Sequence, residues 1–150
     1  MRVTDYFNGI DRVKTADNAE SWLLGYGNKK LLAIRYQNMM AGVNSPKYDG
    51  MPKGRSNNNA VEDKMTEIID KHHQVKEYMR ITEQVVESIE NDDMRTILIR
   101  KYLEEGNSDS NIMDEIHRGK SAYYDMRRDA LNVFAFIFPP FIKQMIVQKS

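Results

Sequence analysis

Ser108-Asp109-Ser110-Asn111-Ile112-Met113-Asp114-Glu115-Ile116-His117-Arg118-Gly119-Lys120-Ser121-Ala122-Tyr123-Tyr124-Asp125-Met126-Arg127-Arg128 is the stretch whose reading decides the fold. Ser108 stands where a helix N-cap accepts from orphan backbone N–H groups, and Ile112 and Ile116 share one face at i, i+4. His117-Arg118-Gly119 is short enough to be a tight turn. From Lys120 the helical period resumes, with Tyr123, Met126, Ala130, Val133 or Phe134, and Ile137 as the inward set. Pro139 ends that helix near Phe138. A helix, a short turn holding Gly and a second helix are the parts of a helix-turn-helix.

The outward face of the second helix carries Lys120, Ser121, Tyr124, Asp125 and Arg128, with Ala122 and Arg127 on its margins and Arg118 in the turn before it. Four cations and one anion fall between residues 118 and 128. Arg and Lys can read guanine or hold phosphate, while Ser, Ala and Tyr suit close contact in a groove. These residues are therefore the candidate DNA-binding set. A three-helix bundle with a solvated basic face would carry the same pattern.

Working upstream, residues 92–103 read as one helix whose acidic start and basic end complement the dipole. Leu98 and Tyr102 make a buried i, i+4 pair there, and Gly106 stops it. Before it, Val61, Met65, Ile68, His72, Val75, Met79, Thr82, Val86 and Ile89 alternate steps of four and three, a heptad seam. Asn59 is the expected N-cap, with Glu62 completing a capping box. The polar face of this helix is rich in Glu and Asp, which suits a partner helix better than DNA. His72 and His73 point about 100° apart on a helix and form no joint site; His72 reads as a packed seam residue.

Residues 1–14 show little periodicity. From Ala16 a helical pattern runs to about Gly42 through Leu24, Leu31, Ile34 and Ala41, with a break expected near Tyr26 between Gly25 and Gly27. Residues 44–59, dense in Gly, Pro, Asn and Ser, read as a long loop, either a connector or a phosphate-contacting arm. The chain is thus expected to be all-α. Residues 1–90 form a long coiled-coil-like helical hairpin, with Leu31 and Ile34 packed on the seam between Ile68 and Met79. Residues 91–150 form a helix-turn-helix bundle with an apolar C-terminal tail.

The 150 residues hold no Cys, which removes disulfides and thiolate metal sites. Lys and Arg number 22, as do Asp and Glu, so affinity for nucleic acid cannot rest on bulk charge. The stretch 134–142 is too short to span a bilayer and is interrupted by Pro139-Pro140, and Met1-Arg2-Val3-Thr4-Asp5 lacks the apolar run of a secretory signal. A soluble protein of the bacterial cytoplasm, with no membrane partner, is the expectation. No phosphate loop, zinc-binding helix motif or nucleophile motif is present, so no enzyme, cofactor, metal or catalytic residue is expected.

The run 94–134, with Arg95, Leu98, Tyr102-Leu103-Glu104, Ser108-Asp109, Ile112, Glu115-Ile116, Tyr123-Tyr124, Arg127-Arg128 and Ala130-Leu131, resembles the C-terminal half of phage transcription regulators of the RinA and ArpU type. More distantly it is similar to the helix-turn-helix in region 4 of sigma factors. Ser45-Pro46, Asp49-Gly50-Met51-Pro52 and Gly54, followed by Val61-Glu62, also look like that family. The resemblance implies a phage or prophage activator of late genes that binds double-stranded DNA and touches host RNA polymerase. By position, Lys120, Ser121, Ala122, Tyr124, Asp125 and Arg128 would read DNA. Gly119 stands where relatives often have Ser, His117 where many have Gly, and Asp125 where a basic or neutral residue is common. A small terminase-like packaging subunit and a helical interaction module are the rival readings. Finally, Phe134, Phe136, Ile137, Phe138, Phe141, Ile142, Met145, Ile146 and Val147 are too apolar for water, so residues 134–147 are expected to make a homodimer contact or to dock on the hairpin.

Overall fold

The computed structural model describes residues 7–43 and 55–150. Six α-helices carry the described chain: α1 (Arg12–Leu24), α2 (Tyr26–Val43), α3 (Arg55–Glu87), α4 (Asp92–Leu98), α5 (Asp109–Ile116) and α6 (Lys120–Ile137), with a π-helical turn (Ile99–Leu103) directly after α4. The protein is all-α. Among the described residues, extended pairing is limited to one isolated antiparallel bridge between Ile10 and Gln148. No helix among them is long and apolar enough to cross a membrane.

Local chemistry sets the helix ends. Asp11 caps α1 by accepting from the Lys14 N–H at 3.0 Å, so the helix starts before the expected onset at Ala16. Gly25 separates α1 from α2, at the expected break. Asn91 caps α4 and Ser108 caps α5, accepting from Met94 and Asn111 at 3.0 and 3.1 Å. Asn59 is not a cap: it lies inside α3, which begins at Arg55. Once the seam has paid for nucleation, each further turn costs little, and weak helix formers are carried along. Of the expected loop 44–59, residues 55–59 are therefore helical, and its remainder, with the arm reading, lies outside the described residues.

Two compact units share the chain, with boundaries other than the expected division at residue 90. One is Asn28–Arg80; the other joins Ile81–Ser150 to the described residues up to Gly27. Tertiary contact overrides sequence proximity here, because α1 packs chiefly on α6.

In the larger unit, Ala16, Ala19 and Leu23 of α1 cluster with Val85 and Val86 of α3, Ile89 just after it, Met94 and Leu98 of α4, and Leu131, Phe134 and Phe138 at the end of α6. Trp22 packs edge-on against Phe138, ring centroids 4.8 Å apart, and donates its indole N–H to Thr82 at 2.9 Å. The seam residue Thr82 is thereby buried without an orphan hydroxyl. A second cluster of Ile97, Ile112, Ile116 and Tyr123 ties α4, α5 and α6 together. Ile137, expected inside, is exposed, because the inward face of α6 turns through Ala130, Leu131, Phe134 and Ala135 instead.

The apolar tail docks on its own chain. Met145 is buried, the Asn18 side chain donates to its carbonyl at 3.0 Å, Asp11 N–H donates to Val147 O at 2.8 Å, and Lys149 N–H donates to Gly9 O at 2.9 Å. Its dock is α1 and the segment before it, so much of the apolar surface assigned to an interface is already covered.

In the smaller unit Lys29 Nζ lies 5.7 Å from the Tyr78 ring centroid, and Leu32, Tyr36 and Met39 share a groove with Lys64, Ile68 and Lys71. Leu31 and Ile34, expected on the seam, are 64% and 50% exposed. The steps Lys29, Leu32, Tyr36, Met39 alternate three and four, and this heptad path, not the Leu24-Leu31 one, faces α3.

His117 holds φ 56°, ψ 48° at the end of α5, a left-handed position that favours glycine. His117→Gly is expected to raise stability by about 1 kcal/mol, read as a higher melting temperature. An unchanged or lower midpoint would show that the imidazole makes a compensating native contact.

Candidate nucleic-acid interface

The turn His117-Arg118-Gly119 leads into α6, whose first residues have no side-chain cap because Gly119 offers none. Tyr123 enters the core and fixes which way the rest of the helix looks. Lys120, Ser121, Ala122, Tyr124, Asp125 and Arg128 are all exposed along the first two and a half turns. Six of the eight expected residues are thus exposed at the start of α6.

The remaining two are engaged elsewhere. Arg118 pairs with Asp93 at 3.1 Å, in a solvent-accessible bridge that exchanges at little cost. Arg127 is held far more firmly. Its guanidinium reaches Glu20 Oε2 at 2.8 Å and Tyr102 Oη at 3.3 Å, with Asp109 Oδ1 at 3.9 Å. Tyr102 donates to Glu20 at 2.5 Å, Tyr123 donates to Asp109 at 2.5 Å, and Lys101 Nζ lies 3.1 Å from the same carboxylate. One polar network therefore joins α1, the π turn, α5 and α6, and its members fix the roll of α6 about its axis.

The electrostatics follow from that geometry. Burial works to raise the Glu20 carboxyl, but hydrogen bonds from Tyr102 and Arg127 outweigh it and hold the group below its ordinary value. Asp109 behaves alike, with Tyr123 and Lys101 as the donors that outweigh burial. Burial and the Glu20 hydrogen bond push the Tyr102 phenol up, so it stays a donor at every ordinary pH.

The local charge is consequently smaller than the sequence suggests. With Arg118 and Arg127 paired, Lys120 and Arg128 are the cations of this face without an ion pair among the described residues, and Asp125 stands between them. Arg127, read from sequence as a marginal contact, is a positioning residue. Glu20, Tyr102 and Asp109 were missed. Only the Tyr123-Arg127 spacing of four hints at the network, since Glu20 lies 107 residues from its partner. Among the described residues no group of His, Asp or Glu could hold a metal ion.

The network carries a pH dependence of defined sign. Both carboxylates sit below their ordinary values of 4.5 and 3.8, so the unfolded chain binds protons that the folded chain refuses. Their contribution is complete above those values and is lost as pH falls through the lower folded ones. Glu20→Gln combined with Asp109→Asn is expected to lower stability at neutral pH and to flatten its decline between about pH 5 and 3. Parallel curves for parent and variant would show that other carboxylates control acid unfolding.

No curated protein and no solved structure matches this chain. A family model does, over residues 53–134, which takes in α3, α4, α5 and α6 as far as Phe134 and leaves α1, α2 and the tail outside. With more than half of its 150 residues matched, the chain belongs to the family described as "Protein of unknown function (DUF1492)".

Proposed function

We propose that the protein is a sequence-specific DNA-binding transcription regulator in which α5, the following turn and α6 act as a helix-turn-helix, and α2 with α3 as a helical hairpin. The observation that carries this reading is the division of α6. Its later turns are clamped by Ala130, Leu131 and Phe134, with Tyr123 also buried, while Lys120, Ser121, Ala122, Tyr124, Asp125 and Arg128 stand exposed along its first turns. A helix so held enters a major groove as a rigid body, with N-terminal residues at the base edges. Arg128 and Lys120 are suited to guanine or phosphate, and Asp125 to a cytosine amino group. Arg118 can leave its exposed bridge for phosphate at little cost.

The finer assignment rests on the resemblance to RinA and ArpU regulators: an activator of phage or prophage late genes, acting in the bacterial cytoplasm on duplex DNA and contacting host RNA polymerase. A homodimer would let two such helices read paired half-sites.

Selection of bound duplexes from a random pool, followed by titration at several salt concentrations, tests the reading. Arg128→Ala or Lys120→Ala is expected to weaken a selected site by about 1–3 kcal/mol if the residue makes a bidentate base contact, or to lower the salt slope by about 1 if it holds phosphate. Arg127→Ala should instead lower thermal stability by about 2 kcal/mol, since it strands Glu20. No enriched sequence, or full affinity in the Lys120/Arg128 double variant, would overturn the assignment.

A further inference from the structure

Phe141 is 89% exposed, the most exposed large apolar side chain among the described residues. It is not on a loose end. Pro139-Pro140 stiffens the chain before it, and the Ile142 and Lys143 N–H groups both donate back to Pro139 O, at 3.1 and 3.3 Å. A few residues later the chain is tied to α1, where Val147 N–H donates to Thr15 Oγ1 at 3.0 Å. The ring is therefore presented on a closed turn anchored at both ends, so little ordering entropy would be lost if it were buried.

The same unit holds an apolar groove of about 620 Å³ lined by Phe7, Ile89, Met94, Val133, Phe136 and Ile137. Phe136 and Ile137 are 50% and 39% exposed in it, although they belong to the last turn of α6, immediately before the Pro139 turn. Phe7 meets Phe136 edge-on with centroids 6.2 Å apart, so the groove has an aromatic wall. A knob and a groove placed at the same end of one helix are what an isologous contact requires, since each copy must offer both on one face.

Charge agrees with this pairing. Glu90 lines the groove, and Lys143 follows Phe141 by two residues. Both are exposed and neither makes an ion pair among the described residues. Seating Phe141 of one copy in the groove of another would join surfaces of opposite charge, Lys143 on the one and Glu90 on the other.

We infer that the occupant of this groove is the Phe141 turn of a second copy of the chain, giving a two-fold dimer built from the α6 end and the Pro139 turn. This deepens the dimeric part of the proposed function and places the contact on two specific surfaces, not across the whole tail, part of which is already docked on its own chain.

The experiment is sedimentation equilibrium of the full chain without DNA, at loading concentrations from sub-micromolar to about 100 µM, which span the affinities of ordinary small interfaces. The parent is expected to dimerise. Phe141→Asp should weaken the dimer at least about tenfold while leaving the melting curve of the dilute protein unchanged, because the residue contributes to no core. Lys143→Glu and Glu90→Lys should each weaken it, and the double reversal should recover the parent's affinity. A parent that stays monomeric throughout overturns the inference and gives the groove to another partner. A dimer indifferent to Phe141→Asp, or a double reversal no better than the singles, overturns it as well. Because the readout is mass in the absence of nucleic acid, failure of the DNA reading leaves the result standing. Conversely, a monomeric protein that still selects a duplex would sink the dimer alone.

Discussion

The packing of α1 on α6 is the contact from which the rest of the larger unit takes its geometry. Ala16 and Ala19 bring the two helices close because they are small, and Leu23 then reaches the cluster around Leu131, Phe134 and Phe138. Each large side chain buried there contributes about 1.5–3 kcal/mol, so a handful outweighs any single surface pair in the molecule. With α1 in place, Glu20 stands at the right depth to meet Arg127 and Tyr102. Apolar burial sets the distance between the helices, and the charged network sets the roll.

The π turn has a role in the same arrangement. Glu104 N–H reaches back five residues to Ile99 O at 2.9 Å, which widens the helix after α4. Tyr102 sits within this turn, with its ring buried and its hydroxyl on Glu20. Arg100, in the same turn, bonds Glu115 of α5 at 3.0 Å and Glu104 at 2.5 Å. One irregular turn thus connects α4 to α1 on one side and to α5 on the other.

What could be read from the sequence was whatever short-range chemistry determines. The cap at Ser108, the turn at His117-Arg118-Gly119 and the stop at Pro139 all depend on residues within four positions of one another, and the α5 and α6 bounds followed from them, whereas the single helix expected over residues 92–103 is α4 to Leu98 and then a π-helical turn. Ser108 was legible because a capping oxygen needs only its own helix. The pairs Glu20–Arg127 and Asp93–Arg118 span 107 and 25 residues, and no period or motif announces them. The facing side of α2 was misjudged for a related reason. Its apolar residues occur on every side, Leu31 and Leu32 being neighbours, so periodicity alone cannot choose between the Leu31-Ile34 and Leu32-Tyr36 paths, and only the position of α3 does.

The consequence for the candidate site is a change in what its charges can be asked to do. A sequence count gives four cations against one anion around the α6 start. The fold commits Arg127 to Glu20, lends Arg118 to Asp93 and leaves Lys120 and Arg128 on either side of Asp125. Two cations without an ion pair among the described residues release few counterions, so in the proposed reading attraction to the phosphate backbone is weak for one copy of the chain. The chain as a whole is neutral and supplies no background attraction in compensation. Discrimination would then fall on base-edge contacts by a helix whose roll is fixed in advance, and a second copy would supply affinity by doubling the site instead of adding charge. A rigid, nearly neutral reader gains specificity from that arrangement because the term that binds every sequence equally is kept small.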